Sequence, residues 1–191
     1  MHPDVLIPLK TRTGDTNTVL LTHIIAEIMN VQQQLDAAGP LIKNFARLRA
    51  NLAQEGDTNG VWNGLLNIIF PFTSGQGYVS CPEGVPYDGS PDRCDLIIRR
   101  MNNYGVSLLF EGKGTNGPSM KEVKDQLERY ASVSCYAIGA KATRVCFWLI
   151  DYKQYPAERF RPISVSRGQV SIGRGGLAVD VQNEKWHCSL H

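Results

Sequence analysis

Two acidic residues separated by a hairpin constrain this chain more than any other feature. The stretch runs from Asp95 through Leu96-Ile97-Ile98-Arg99-Arg100 to Asn102-Asn103-Tyr104-Gly105, then Val106-Ser107-Leu108-Leu109-Phe110-Glu111-Gly112-Lys113. Runs 95–100 and 106–111 are rich in β-branched, aromatic and other apolar residues, and the segment between them has turn chemistry. A turn centred near Asn103 makes paired residue numbers sum to roughly 206. Asp95 then lies across from Glu111. Side chains alternate along a strand, so Glu111 and Lys113 share a face. Two carboxylates facing each other on one sheet face repel. A divalent cation reverses that cost, and carboxylate oxygens suit Mg²⁺ or Mn²⁺.

An Asp at the start of one strand, with Glu-x-Lys at the end of the next, resembles the pattern of the PD-(D/E)xK nuclease superfamily, the restriction-endonuclease-like fold. The proline and acid of that motif correspond to Pro91-Asp92-Arg93-Cys94-Asp95, with the Asp displaced from its usual place beside Pro. Asp95 is preferred over Asp92 because Leu96-Ile97-Ile98 follows it as a buried strand requires. Farther on, Gln126 and Tyr130 stand four apart in 118–131 and therefore share a helix face. That segment is similar to the Gln-x-x-x-Tyr helix of the RecB-type branch. The resemblance covers roughly residues 55–150. It implies metal-assisted phosphodiester hydrolysis, with nucleic acid as partner. Asp95 and Glu111, with the carbonyl of Gly112, would hold Mg²⁺ or Mn²⁺. Lys113 would orient water or stabilise charge, and Gln126 and Tyr130 would position the site or substrate. Members often carry a Glu on the first core helix. Here Glu55 stands just before a helix expected at Val61–Phe70, and Glu27 lies on a long N-terminal helix beside His23. The polar side chains near the short helix are the amides Asn59, Asn63 and Asn67.

The 191 residues suit one domain with a full core, and the 42% hydrophobic content is ordinary for a folded protein. A net charge of +2 gives no strong whole-chain pull toward nucleic acid, which is neutral for an enzyme. The five cysteines, at 81, 94, 135, 146 and 188, show no paired spacing and read as reduced thiols. The opening Met-His-Pro-Asp-Val-Leu-Ile-Pro is too short and polar for a secretory leader, and no run reaches the ~18 apolar residues of a membrane span. The expectation is therefore an intracellular protein of cytoplasm or nucleus, away from membranes, with a homodimer or larger complex left open.

The expected fold class is α/β (α+β). A restriction-endonuclease-like mixed central sheet is flanked by helices, with extra N-terminal helices and a C-terminal β-hairpin. Within a single domain 1–191, residues 1–54 form an arm and helices, 55–150 the nuclease-like core and 151–191 a β extension. Asp15 or Thr16 caps a helix running to about Ala37 on the stripe Leu21, Ile24, Ile25, Ile28, Val31 and Leu35. Gly39-Pro40 ends it and starts a second helix marked by Leu41, Phe45, Leu48 and Leu52. Residues 55–60 read as a break, Tyr78–Cys81 as a first strand and 82–91 as a loop. Ala142–Ile150 reads as a buried central strand. Two alternating runs around Gly173-Arg174-Gly175-Gly176 read as a hairpin.

Each site residue also has a plainer reading. Asp95 could open a strand beside a turn. Glu111 and Lys113 could be the solvated face of an edge strand. Gln126 and Tyr130 could be a surface amide and a half-buried ring, and Lys121 and Lys124 could solvate their helix or meet phosphates. His187, Cys188 and His191 crowd a chain end without a partner pair and make a poor zinc site. The second function class is thus a nuclease-like module that binds nucleic acid or protein without catalysis.

Overall fold

The computed structural model describes residues 46–48, 50, 52–70, 72, 77–166 and 169–173. The order is α1 (Glu55–Ile69), β1 (Tyr78–Gly84), β2 (Cys94–Arg100), β3 (Val106–Lys113), α2 (Met120–Tyr130), β4 (Cys135–Lys141), β5 (Arg144–Ile150), a 3₁₀ turn (Pro156–Glu158), β6 (Phe160–Ser166) and β7 (Gln169–Ile172). The seven strands form one mixed sheet in chain order, β1 to β7. Every neighbouring pair is antiparallel except β3 and β4. A parallel pair needs a crossover, and α2 supplies it. The class is therefore α+β, a mixed sheet with helices on its faces.

β3 is buried along its whole length. Its even-numbered Leu108 and Phe110 face α1, together with Leu96, Ile98 and Ile138, and meet Val61, Trp62, Leu65 and Leu66. Its odd-numbered Leu109 faces α2 with Ile97, Ala137 and Trp148, and meets Val123 and Leu127. The two-residue alternation thus feeds two cores, one on each side of the sheet. Trp62 stacks obliquely on Phe110 at 5.6 Å between centroids, which pins α1 to the central strand.

The expected hairpin register holds where the site lies. Leu96 pairs with Phe110, Ile97 with Leu109 and Ile98 with Leu108. A register shift at Ile98/Arg99, before the turn, makes Arg99 face Val106. α2 begins at Ser119, whose hydroxyl accepts from the Glu122 N–H at 3.3 Å while the Glu122 carboxylate accepts from the Ser119 N–H at 2.7 Å.

Three expectations need correction. Residues 55–60 are not a break but the first half of α1. The Asp57 carboxylate accepts from the Gln54 N–H at 2.9 Å, and two acids in the first turn suit the helix dipole, which outweighs Gly56 and Gly60. The strand expected at 142–150 begins at Arg144, with Ala142 and Thr143 in a turn, and the unforeseen β4 precedes it. Leu52, assigned to an apolar stripe, is 70% exposed, whereas Leu48 is buried. β6 and β7 pair from Ile163 with Ile172 to Ser166 with Gln169, and the hairpin expected around Gly173-Arg174-Gly175-Gly176 falls outside the described residues from Arg174 on. The long helix expected from Asp15 to Ala37, Glu27, the run after Gly173 and the His187, Cys188 and His191 cluster lie outside the described residues. Among the described residues no helix is long and apolar enough to cross a membrane.

Candidate metal and phosphodiester site

The C-terminal end of β3 collects the charges. Glu111 and Lys113 are buried, at 2% and 6% exposure, at the end of a strand whose run before them, Leu108-Leu109-Phe110, is apolar. The solvated edge-strand reading of these two residues does not survive, because β3 lies between β2 and β4. The backbone there is fastened twice over. The Lys113 carbonyl accepts from the Thr58 hydroxyl at 3.1 Å and from the Ala142 N–H at 3.0 Å. The Ala53 carbonyl accepts from the Thr115 N–H at 2.8 Å, so the chain leaving β3 lies against the start of α1.

Asp95 sits across the hairpin from this end. Its Oδ2 accepts from the Gly112 N–H at 2.8 Å, and its own N–H approaches Glu111 Oε2 at 3.5 Å. The Asp95 carboxylate thereby takes the place of a ladder partner for Gly112. Gly112 permits a close approach from the other side. A Cβ at this position would run into Asn59 Oδ1 and the Phe110 ring. Asn59 belongs to α1, and its side-chain amide lies near enough to Asp95 to favour the ionised carboxylate.

Lys113 Nζ lies 2.7 Å from Glu111 Oε1 and 3.0 Å from Glu55 Oε1. Glu55, placed before the helix in the sequence reading, is the first residue of α1 and reaches the site from the helix end. The acidic first turn after Gln54 was the signal for it. Four charged side chains from three elements thus converge: Asp95, Glu111, Lys113 and Glu55.

Their electrostatics reflect burial against pairing. Burial raises Glu111 to about 7, with Asp95 adding to the rise and the Lys113 hydrogen bond opposing it. Burial also raises Asp95, while the Gly112 N–H pulls it back. For Lys113, burial acts to lower proton affinity, but the hydrogen bonds it donates to Glu111 and Glu55 outweigh burial and hold the ammonium form well above its usual range. Tyr130, on α2, is raised to about 12, first by burial and then by Glu111. It stays a protonated phenol at neutral pH. Cys94, beside Glu111, donates to the Phe110 carbonyl at 3.1 Å, and burial pushes its thiol far up, so it is an inert packing residue.

Of the sequence candidates, the structure brings Asp95, Glu111, Gly112 and Lys113 together directly. Tyr130 is buried and close enough to Glu111 to feel its charge. Gln126 is partly buried one turn earlier, with no partner for Oε1. Lys121 and Lys124 pair instead with Asp125 and Glu128 along α2. The described residues hold three buried side-chain polar atoms without a partner: Asn59 Oδ1, Thr115 Oγ1 and Gln126 Oε1. Asn59 packs over Gly112, and Thr115 follows Lys113 by two residues. Such atoms are costly where nothing meets them.

The donors at this end are hard oxygens, the class that Mg²⁺ and Mn²⁺ prefer, and Mg²⁺ commonly takes one or two protein carboxylates plus water. Asp95 and Glu111, each raised by burial, fit that pattern, with the orphaned Asn59 oxygen beside them. Among the described residues no group of three or more His, Cys, Asp or Glu forms a preset cage. A small cavity of about 40 Å³, lined by Arg100, Ser107, Ser134, Cys135 and Tyr136 among others, opens at the opposite end of β3 and β4 and does not touch these carboxylates. Comparison with protein-family models, with curated proteins and with solved structures returns no match for this chain.

Proposed function

We propose that this protein is a divalent-metal-dependent nuclease of the restriction-endonuclease-like kind, hydrolysing phosphodiester bonds in nucleic acid. The observation that carries the reading is the convergence of half-buried Asp95 with buried Glu111 and Lys113 at the end of the central strand. Burying Glu111 and Lys113 beside a half-buried Asp95 is costly, and such groups with displaced proton affinities gather at functional sites. The strand–turn–strand–helix order that supplies them, with Gln126 and Tyr130 on α2, supports this reading.

Asp95, Glu111 and the Gly112 carbonyl would hold Mg²⁺ or Mn²⁺. Such an ion, when bound, polarises a phosphoryl oxygen and lowers the pKa of its water. The remaining roles belong to the chain. Lys113 carries a permanent positive charge and would trade its contacts with Glu111 and Glu55 for the oxygens of the reacting phosphate. Glu111, with its proton affinity near neutrality, can hold or release a proton there. Tyr130 remains a donor across the physiological range.

Incubation with mixed DNA and RNA plus Mn²⁺, with and without chelator, tests the reading. Metal-dependent cleavage that Glu111→Gln abolishes is the expected result. One observation favours a second reading, a nuclease-like module without catalysis: Lys113 is already engaged by two carboxylates and nearly closed to solvent. Absence of cleavage on every substrate, together with no shift of Tm by Mn²⁺, would discard the nuclease in favour of that module.

A further inference from the structure

The sheet register carries a row of positive charge away from the site. Lys113 on β3 pairs with Lys141 on β4, and Lys141 pairs with Arg144 on β5. Alternation puts all three on the α2 face. Lys113 follows Leu109 and Glu111, Lys141 follows Ala137 and Gly139, and Arg144 precedes Cys146 and Trp148. Lys141 confirms the direction, since its Nζ donates to the Gly117 carbonyl, just before α2, at 2.7 Å. Neighbouring strands lie about 4.8 Å apart, so the row spans roughly 10 Å from the carboxylates toward β5.

The last two members of the row, Lys141 and Arg144, have no ion-pair partner among the described residues, and Arg144 is exposed. The Lys121 and Lys124 ammonium groups on the adjacent helix, by contrast, are paired with carboxylates. The Glu122 carboxylate is near enough to Lys141 to feel its charge, but its Oε2 accepts from the Ser119 N–H and hydroxyl at 2.7 and 2.8 Å and it forms no ion pair with Lys141.

We propose that Lys141 and Arg144 bind the phosphodiester backbone of a nucleic acid, guiding the strand from the Lys113 end of β3 across β4 and β5. The identity of the polyanion rests on the nuclease reading, and the charge row itself does not. Contacts of this kind position a backbone without reading bases, so DNA and RNA of one strandedness are held alike.

The test is fluorescence anisotropy with labelled single-stranded DNA and RNA of equal length, in chelator, over a salt series. Each phosphate contact contributes about 0.7 to the slope of log K against log salt for single strands. The Lys141→Ala/Arg144→Ala protein should bind more weakly, with a slope shallower by about 1.4. Arg144→Ala alone, at an exposed position that leaves the Gly117 contact intact, should lose about 0.7. Lys153→Ala/Arg159→Ala, in the turn beyond the far end of β5, should leave affinity and slope unchanged. The proposal is overturned if wild type does not bind, if the double variant keeps the wild-type slope, or if the Lys153/Arg159 pair lowers it equally. Since binding is read without metal, a protein that binds through the row yet never cleaves would refute the nuclease and keep the row.

Discussion

Glu111→Gln should make the protein progressively more stable than wild type as pH rises. Glu111 has its proton affinity raised from 4.5 to about 7, with burial the largest cause. A group raised in the folded state contributes stability that is fully present below the unfolded value and is lost as pH rises through the folded one. Wild type therefore gives up this contribution between about pH 4.5 and 7. At 1.36 kcal/mol per pKa unit, the shift from 4.5 to about 7 corresponds to about 3 kcal/mol. The side chain is only 3% exposed, so solvent screening takes little from this figure. Glutamine resembles the protonated acid, keeps an oxygen for Lys113 and cannot ionise. The difference in unfolding free energy, variant minus wild type, should therefore climb by up to about 3 kcal/mol between pH 4.5 and 8. Urea unfolding in chelator measures it, with the buried Trp62 and Trp148 as fluorescent reporters. Only the change with pH matters, so a constant offset from altered packing does no harm. A flat difference, or one that falls with pH, would mean that Lys113 more than compensates for burial and holds Glu111 ionised, and the reasoning would fail.

Lys113→Ala leaves Glu111 buried without its cation, and should cost about 3–5 kcal/mol at pH 8 but clearly less at pH 5, where Glu111 takes up a proton; thermal melts at the two pH values check this. Asp95→Asn keeps an acceptor for the Gly112 N–H and should be close to neutral in chelator, whereas Asp95→Ala orphans that N–H and should lose about 1–3 kcal/mol. Chemical denaturation of the pair separates a charge effect from a lost hydrogen bond. Gly112→Ala forces a methyl into Asn59 and Phe110 and should destabilise by about 1–3 kcal/mol, and adding Asn59→Ala should recover part of that loss if the overlap with Asn59 is its cause.

The hairpin was legible because two signals agreed. Turn residues set the centre, and the period-two pattern of Leu96, Ile98, Leu108 and Phe110 left one register that buries them all. The register shift near the tip was not legible, but it falls beyond Ile98 and leaves the Asp95 end untouched. β4 escaped notice for a packing reason. Its Ala137, Gly139 and Ala140 are weak strand formers, yet a Cβ on Gly139 would stand 2.7 Å from Val123 and 2.9 Å from the Trp148 ring. The small residues admit α2 and Trp148, which no local propensity reports. The first half of α1 was missed for a related reason. Gly56, Asn59 and Gly60 look like a loop until Thr58 reaches the Lys113 carbonyl and Asn59 settles over Gly112. Glu55 was set aside with that supposed loop, so its reach to Lys113 could be seen only once the helix was in place.

The sheet's strand order bears on how the protein reaches its folded state. β1–β3 and β4–β7 are two up-and-down ribbons, each made of strands adjacent in the chain, and each can form through short loops. Only the β3–β4 seam joins residues far apart, Leu108 to Tyr136 being 28 positions distant. Closing that seam needs the longest loop closure in the sheet, so it is the strand pairing that costs most in chain entropy. The hairpin alone can set Asp95 opposite Glu111. Burial of Lys113, the alignment of Lys113 with Lys141, and the approach of Ala142 to the Lys113 carbonyl all wait for the seam. A chain caught before that event would carry its two carboxylates in water, with ordinary proton affinities and no enclosed ammonium between them. The charge cluster thus becomes an internal marker of completed folding: its displaced titration exists only in molecules whose two ribbons have met.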